Sequence, residues 1–432
     1  MRTSAFRTHA LTLWLLLAFA AALPASAATL LVPEDYALQA AVEAAEPGDV
    51  VSVAAGRYQA RTSRFVPDDG QFQFWSAVLF LKAGVTVESR GGVVEIDGTS
   101  ADRRGAPFVV VADRLAGDPA VLRGLVLVAD ASTRSTLTIQ QSGTVVLDRC
   151  KIRDAGVERF VEVEDAGPVE FRGCSFSAAG SDASIPHLVE LTNSGVAFVD
   201  CTFEGTALGG VRAVGGQLAL ERTRFAGTRA GVELQGTSAK ITACDFDGVE
   251  NAAVYALDFG RTDDFLVQDC WFRGAAIGVQ AIGAPFDVRH SVFLGAGAGA
   301  AVISSARGTI QGNTFVGWAR ACDNRNGEGL TFARNVVAGG VGESPAVQGG
   351  PAAGDCNLYW DNAGGDSQDW THGASDLFVD PLFCDPATGD YTVRADSPAA
   401  RAACGPIGAL EVGCSVLAIT PSTWAEIKAM HR

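Results

Sequence analysis

Apolar and polar residues alternate in short stretches along the chain, and beyond residue 140 the same pattern recurs every 21 to 27 residues. Each repeat holds a small or amide residue, a mostly polar residue and a large apolar residue, in that order. Successive side chains of a β-strand point to opposite faces, so this order predicts a strand whose first and third side chains face inward. The apolar column reads Ile152, Phe176, Phe203, Phe225, Phe246, Phe272, Phe293, Phe315, Val337 and Leu358.

The small or amide residue two positions earlier forms a second inward column. It reads Cys150, Cys174, Cys201, Thr223, Cys244, Cys270, Ser291, Asn313, Asn335 and Cys356. Stacked strands lie about 4.8 Å apart, whereas the β-carbons of a disulfide lie about 3.5 to 4.5 Å apart. We therefore expect the five cysteines between residues 150 and 270 to pack as free thiols. Asn313 and Asn335 should share amide hydrogen bonds, as stacked asparagines do.

A repeat of about 22 residues, with one strong strand and then a glycine, is typical of stacked solenoid coils. One coil cannot bury its own inner face and must rest on its neighbours. The predicted fold class is therefore all-β, a single-stranded right-handed parallel β-helix. This domain should span 28–414, with regular coils over 140–360. A leucine-rich repeat would need a helical half, and a propeller blade would need about 40 residues.

Both ends of the solenoid are predicted to be capped, because open strand edges invite aggregation. Over 28–60, an N-terminal cap should contain a helix between Pro33 and Ala45. A C-terminal cap is expected over 377–414. The tail 415–432 includes a capping-box pattern that begins at Thr423 and predicts a short amphipathic helix.

The first 27 residues have the layout of a secretory signal peptide. Arg2 and Arg7 precede an apolar run from Leu11 to Leu23, and small residues at 25–27 suit cleavage after Ala27. The alternative is a membrane anchor, but the run is shorter than the roughly 20 residues that a span needs. We expect a secreted protein, located outside the cell, in the periplasm or at the cell surface, with no membrane span.

Charge narrows the set of partners. The chain has 33 basic and 49 acidic residues and a net charge of −16. Without a Lys/Arg-rich run, nucleic acid is not an expected partner.

The other five cysteines, an odd number, lie toward the C-terminus, so at least one should stay unpaired. The pairings to test join Cys404 with Cys414 or with Cys384, and a monomer is expected.

Segments at both ends resemble a known group of proteins. At the start these are Leu38–Val42, Gly48–Val51 and Gly56–Tyr58, and near the end Asp380–Cys384 and Gly408–Leu410. They are similar to bacterial secreted right-handed β-helix proteins of the pectin-lyase-like superfamily. The resemblance implies the fold. It leaves function open, because the superfamily mixes polysaccharide lyases, hydrolases and epimerases with proteins of no known activity. The polygalacturonase-like hydrolase and mannuronan-epimerase motifs are absent.

Charged residues cluster in the enlarged coil between Cys244 and Cys270 and in the coil after it. A lyase abstracts a proton α to a uronate carboxylate while a cation neutralises that carboxylate. The candidate catalytic residues are Arg261 as base, Asp263, Asp264 and Asp269 for a metal or the uronate, and His290. The alternative is a solvated turn with surface ion pairs.

Two further sets could bind ligands. Carboxylates in the loop 355–376 could hold calcium, the one cofactor considered, although no EF-hand spacing is met. The candidate metal ligands are Asp361, Asp366, Asp369 and Asp376. Aromatic faces can stack on sugar rings, and the candidates are Trp75, Trp271, Trp360 and Trp370. The alternatives are a polar loop and tryptophans covered by the protein.

The preferred interpretation is a secreted β-helix protein that acts as a binding or surface module without catalysis. Its expected partner is a polysaccharide or cell-surface glycan. The alternative is a polysaccharide lyase or related carbohydrate-active enzyme acting on uronic-acid polymers. The two differ in whether a base and carboxylates converge in one groove.

Overall fold

The computed structural model describes residues 27–68, 71–99, 108–130, 133–155, 159–178, 187–258, 264–295, 299–324, 329–349 and 353–414. Over these residues the chain is a parallel β-solenoid of right-handed type with about 15 turns and 3% helix. Nearly all of the predicted signal peptide and the whole tail 415–432 lie outside the described residues.

Each turn passes through up to three parallel sheets, and the periodic pattern in the sequence marks the second of them. The first sheet holds Thr29–Val32, Val50–Tyr58, Thr86–Asp97, Ala120–Arg123, Val145–Asp148, Val169–Arg172, Gly195–Val199, Gln217–Glu221, Ser238–Thr242, Phe265–Gln268, Phe286–Arg289, Gly308–Gln311 and Leu330–Ala333. The second holds Val126–Asp130, Lys151–Ala155, Ser175–Ala178, Thr202–Val214, Arg224–Gln235, Asp245–Asp247, Trp271–Arg273, Val292–Leu294, Thr314–Val316, Val336–Ala338, Leu358–Trp360 and Leu377–Phe378.

The third sheet closes each turn. It holds Gln71–Phe80, Phe108–Asp113, Ser135–Gln140, Arg159–Glu164, His187–Thr192, Ala252–Leu257, Ile277–Ile282, Ala300–Ser304, Arg320–Asn324, Val347–Gly349 and Ser367–Gln368. Thr202–Val214 and Arg224–Gln235 continue from the second sheet into the third. Val50–Tyr58 and Thr86–Asp97 likewise run from the first sheet toward the second. Thr62–Asp68 pairs antiparallel with Gln71–Phe80.

A column of stacked phenylalanines fills the core, as the sequence predicts. From Phe176 to Phe293 the rings lie nearly parallel, with centroids 4.4 to 5.0 Å apart. All of these rings are buried. Burial of each contributes about 1.5 to 3 kcal/mol by transfer from water, so the column is a main source of stability.

The predicted columns are wrong by one residue in the turn that contains Leu358. Tyr359, and not Leu358, lies opposite Val337. Asn357 therefore takes the place assigned to Cys356. The cause is the corner before the second sheet, where Cys356 adopts a left-handed φ of 66°, as Arg334 does at 56° one turn earlier.

The asparagine ladder is confirmed and is longer than predicted. The Oδ1 atom of Asn335 accepts a bond from Asn313 N at 2.9 Å, and Asn357 Oδ1 accepts one from Asn335 N at 3.0 Å. Asp376 Oδ1 ends the series by accepting from Asn357 N at 2.7 Å. Each side chain thus fixes the backbone of the preceding turn.

The five cysteines of the inner column are buried free thiols, as predicted, and Cys322 is also free and buried. The two pairings suggested for Cys404 are wrong. Cys404 bonds to Cys356 at the corner just described, and Cys384 bonds to Cys414. The reason is spatial: the strands of Cys384 and Cys414 both pair with Asp390–Arg394.

At the N-terminal end, the helix Leu38–Ala44 buries Leu38, Ala41 and Val42 in the main core. The side chain of Gln39 accepts a bond from Phe80 N at 2.8 Å and thereby ties this helix to the third sheet. Among the described residues, no helix is long and apolar enough to cross a membrane.

The C-terminal segment lies on the side of the solenoid. It contains Phe383–Asp385, the 3-10 helix Pro386–Thr388, Asp390–Arg394 and Val412–Cys414. We call residues 381–414 the C-terminal clasp.

Apolar side chains hold the clasp in place. Val393 and Ile407 pack with Val336 and Leu358 of the second sheet. Ala409 N donates to Thr314 Oγ1 at 2.9 Å, which fixes the clasp one turn further back. The outward positions of these last turns are apolar or uncharged because the clasp covers them.

Candidate functional site

A groove runs along the outer face of the first sheet. It consists of two cavities, of about 780 and 510 Å³, that share Ala239 and Asp264 at their boundary. From strand Val169–Arg172 to strand Leu330–Ala333 it extends roughly 34 Å, at about 4.8 Å per turn. An elongated cavity of this kind suits an extended chain better than a compact ligand.

Small residues form the floor of this groove, and charged residues stand along it. Ala197 and Ala219 lie at outward positions of adjacent strands and leave the space open. Further along, Arg289 Nε donates to Asp287 Oδ1 at 2.6 Å. The outward-facing and charged residues along the groove include Glu170, Ala197, Ala219, Lys240, Asp264, Asp287, Arg289, Arg307 and Thr309.

Two cations in the groove have no carboxylate partner among the described residues. Lys240 lines the first cavity and Arg307 the second, and neither forms an ion pair with a described residue. Their ammonium and guanidinium groups are free to donate hydrogen bonds to a ligand. Asp264, between the two cavities, supplies acceptors.

Three of the five predicted lyase residues, Asp264, Asp269 and His290, lie in the part of the chain that the structure describes. Arg261 and Asp263 lie outside it. Asp264 lines the groove, but Asp269 is beyond the other end of strand Phe265–Gln268, roughly 16 Å away along the extended chain. Asp269 and His290 occupy successive corner positions with left-handed φ. His290 Nδ1 lies 3.9 Å from Asp269 Oδ1, and both side chains are more than half exposed.

A charged cluster on the outer face of the third sheet was missed by the sequence reasoning. His187 Nε2 lies 2.8 Å from Glu233 Oε2, while Arg212 lies 3.9 Å from Glu233 and 4.0 Å from Glu190. His187 is only 6% exposed, and its Nδ1 atom is buried with no hydrogen-bond partner among the described residues.

Glu233 is the electrostatic centre of this cluster. The hydrogen bond from His187 is the main cause that lowers the pKa of its carboxyl, and the nearby Arg212 adds to the effect against the cost of partial burial. No Lys or Arg lies close to Glu190 in the sequence. Register supplies the missing cation, because Arg212 lies directly opposite Glu190 on the next strand.

The four candidate tryptophans have different surroundings. Trp75 is buried and stacks on Phe108 at 4.9 Å, so its ring offers no open face. Trp271 is covered in part by the Arg273 guanidinium, and Trp370 packs its edge against Phe332. Trp360 is 42% exposed.

Two of the four candidate calcium ligands accept hydrogen bonds from the protein. Asp366 accepts a bond from Asn362, and Asp376 accepts bonds from Asn357 and Gly373. Asp361 and Asp369 are exposed residues with left-handed φ. Within the described ranges, no group of three or more His, Cys, Asp or Glu side chains is placed to hold a metal ion.

The fold places the protein among parallel β-solenoids. No protein-family model and no curated protein matches the chain. Among solved structures it is similar to PfbA, a surface adhesin of Streptococcus pneumoniae, at 12% identity over 79% of this chain and 88% of that chain, with a TM-score of 0.49.

Two other solved structures match at lower TM-scores. Tailspike protein 3 of bacteriophage CBA120 matches at 13% identity over 74% of this chain and 56% of that chain, with a TM-score of 0.37. The PL6 family alginate lyase AlyGC matches at 11% identity over 82% and 54%, with a TM-score of 0.30. These likenesses concern the β-helix architecture alone.

Proposed function

We propose that this protein is a secreted binding or surface module that holds an extended polysaccharide without chemical conversion. The observation that carries the proposal is the groove on the outer face of the first sheet. Its length crosses many turns, so it can contact several units of a linear polymer. Binding sites of this kind combine an apolar floor with a few polar groups that fix orientation.

The charges in the groove support a neutral or mixed-polarity glycan. Lys240 and Arg307 can donate to hydroxyl oxygens, and Asp264 can accept from hydroxyl hydrogens. A ligand of this type would also suit the secretion that the first 27 residues predict. In the same proposal, helix Leu38–Ala44 caps the N-terminal end of the stack, and the clasp covers the side of the last turns.

The test fills the groove and measures binding. Ala219→Trp places a large ring on its exposed floor, and Ala226→Trp places the same ring on the outer face of the second sheet. Both variants and the parent protein are assayed against a glycan array and then by calorimetry with the best polymer. We expect Ala219→Trp to weaken binding at least about tenfold, or 1.4 kcal/mol, and Ala226→Trp to leave it unchanged. Equal binding by all three proteins would place the ligand elsewhere.

A lyase acting on uronic-acid polymers is the second candidate, and the cluster around Glu233 favours it. There an imidazole, a guanidinium and carboxylates meet, which is the combination that proton abstraction beside a neutralised uronate needs. His187→Gln and Arg212→Met would each abolish the activity. The assay is ultraviolet absorbance of unsaturated ends on a panel of uronic-acid polymers, with and without calcium. Absence of signal on every polymer would contradict this candidate.

A further inference from the structure

A serine, a histidine and an aspartate meet in the last turns of the solenoid that the structure describes. Ser367 Oγ lies 2.8 Å from His372 Nε2. On the other side of the imidazole, His372 Nδ1 lies 3.4 Å from Asp376 Oδ2. A hydroxyl, an imidazole and a carboxylate in this order activate the serine of hydrolases on unrelated folds.

The carboxylate of this group is held firmly. The side chain of Asp376 is fully buried. Its Oδ1 atom accepts from Asn357 N at 2.7 Å, and its Oδ2 atom accepts from Gly373 N at 2.9 Å. The carboxylate therefore cannot turn away from the imidazole, and the asparagine ladder behind it supplies the rigid support that a positioning residue needs.

The imidazole is equally constrained. Tyr359 and Phe378 each present ring contacts to His372 with centroids 4.9 Å away. Its Nδ1 atom is buried and forms no hydrogen bond with a described residue, and Asp376 Oδ2 lies 3.4 Å from it. These contacts direct Nε2 toward Ser367, while about 30% of the side chain remains open to solvent.

A backbone donor stands beside the serine. Ser367 lies opposite Val347, and Val347 N donates to Asp366 O at 3.0 Å. In a parallel ladder this pattern points the N–H of Ser367 to the other edge of its strand. Among the described residues no strand pairs with that edge. The N–H of a nucleophilic serine can serve as an oxyanion donor.

We propose that Ser367, His372 and Asp376 form a hydrolytic site for a carboxylic ester with a small acyl group. Ser367 Oγ bonds to the ester carbonyl carbon, and its proton passes to His372 Nε2. The carbon–oxygen bond to the alcohol breaks, and the alcohol leaves with that proton. A water molecule, deprotonated by His372, then attacks the acyl-serine and releases the acid, which restores Ser367. Phe378, 51% exposed, offers an apolar surface for the acyl group.

The first experiment uses the full chain and an alkyl fluorophosphonate, which reacts with activated serines. We expect one labelled peptide, containing Ser367, in the parent protein. Ser367→Ala should lose the label, and Ser375→Ala, on the same loop, should keep it. No label on the parent protein, or a label that persists in Ser367→Ala, overturns the proposal.

The second experiment measures hydrolysis of p-nitrophenyl acetate. Ser367→Ala and His372→Gln should lower kcat by about 10³-fold. Asp376→Asn should lower kcat with little change in KM, which a purely structural role would not produce. Ser367→Thr keeps a hydroxyl and serves as a folding control by circular dichroism. Ala226→Trp, outside both the groove and this site, should hydrolyse the ester normally, and hydrolysis is measured without glycan, so failure of the glycan proposal and of this one are distinguishable. Unchanged hydrolysis in Ser367→Ala refutes the site.

Discussion

The side chain of Asn335 serves three turns of the solenoid at once. Its Nδ2 atom donates to Ile310 O at 2.9 Å and to Asn357 Oδ1 at 3.2 Å, while its Oδ1 atom accepts from Asn313 N. Loss of the amide leaves two buried backbone groups, Asn313 N and Ile310 O, unsatisfied, each at about 1 to 3 kcal/mol. We expect Asn335→Ala to lower the free energy of unfolding by about 3 kcal/mol or more, measured by urea denaturation. Asn251→Ala, an exposed site, should change it by less than about 0.5 kcal/mol.

Glu233 gives the molecule a dependence on pH. Its pKa is lowered in the folded state by the hydrogen bond from His187. Stability from such a group is present above the pKa of an unfolded glutamate and is lost as pH falls through the lower folded value. Glu233→Gln should therefore flatten the acid limb of the stability curve, measured by denaturation at a series of pH values. His187→Gln should flatten the same limb. If the two substitutions together lower the free energy of unfolding by the sum of their single effects, the hydrogen bond between these side chains is not the cause.

Residue identity alone could not assign the turn around Cys356. Either Cys356 or Asn357 satisfies the rule of a small or amide inward residue, and either Leu358 or Tyr359 satisfies the apolar rule. The choice depends on the left-handed corner and on the disulfide to Cys404, both of which are three-dimensional. The inward cysteines and phenylalanines before this turn were predictable because only one alignment fits them.

At the scale of the strand, backbones and rings approach closely. A β-carbon added to Gly231 would lie 2.2 Å from Ala253 O and 2.8 Å from Phe246 Cε1. Overpacking of this kind costs about 1 to 3 kcal/mol. We expect Gly231→Ala to lower the melting temperature by several degrees in calorimetry. Gly195→Ala, where an added β-carbon meets nothing within 4 Å, should melt as the parent does.

The strands of the second sheet were predictable from sequence, whereas the candidate site was not. Each inward phenylalanine repeats at nearly fixed spacing because it must stack on the previous one. Outward positions carry no such constraint, so Glu190, Arg212 and Glu233 give no periodic signal. Their meeting depends on register between turns of unequal length. The predicted set around Asp269 stays a prediction, because Arg261 and Asp263 lie outside the described residues.

On the scale of the whole molecule, the net charge of −16 opposes the approach of anionic polymers. This field acts over about 30 Å at 0.01 M salt and about 8 Å at 0.15 M. We expect the association rate of any uronic-acid polymer to rise with ionic strength, and that of a neutral glycan to stay constant, as measured by biolayer interferometry. An association rate that falls with salt would mean that Lys240 and Arg307 dominate the field near the groove.

Because of the clasp, the solenoid should unfold differently from its C-terminal end than from its N-terminal end. Turns of a solenoid touch only their neighbours, so a stack can peel from a free end one coil at a time. The clasp bonds to turns as far back as Thr314 and is tied to Cys356 by a disulfide. Unfolding from the C-terminal side must therefore first detach the clasp. The turns that the clasp contacts then unfold together, as one cooperative unit. The last coils should therefore resist a pulling force or a protease acting at the C-terminal end until the clasp detaches.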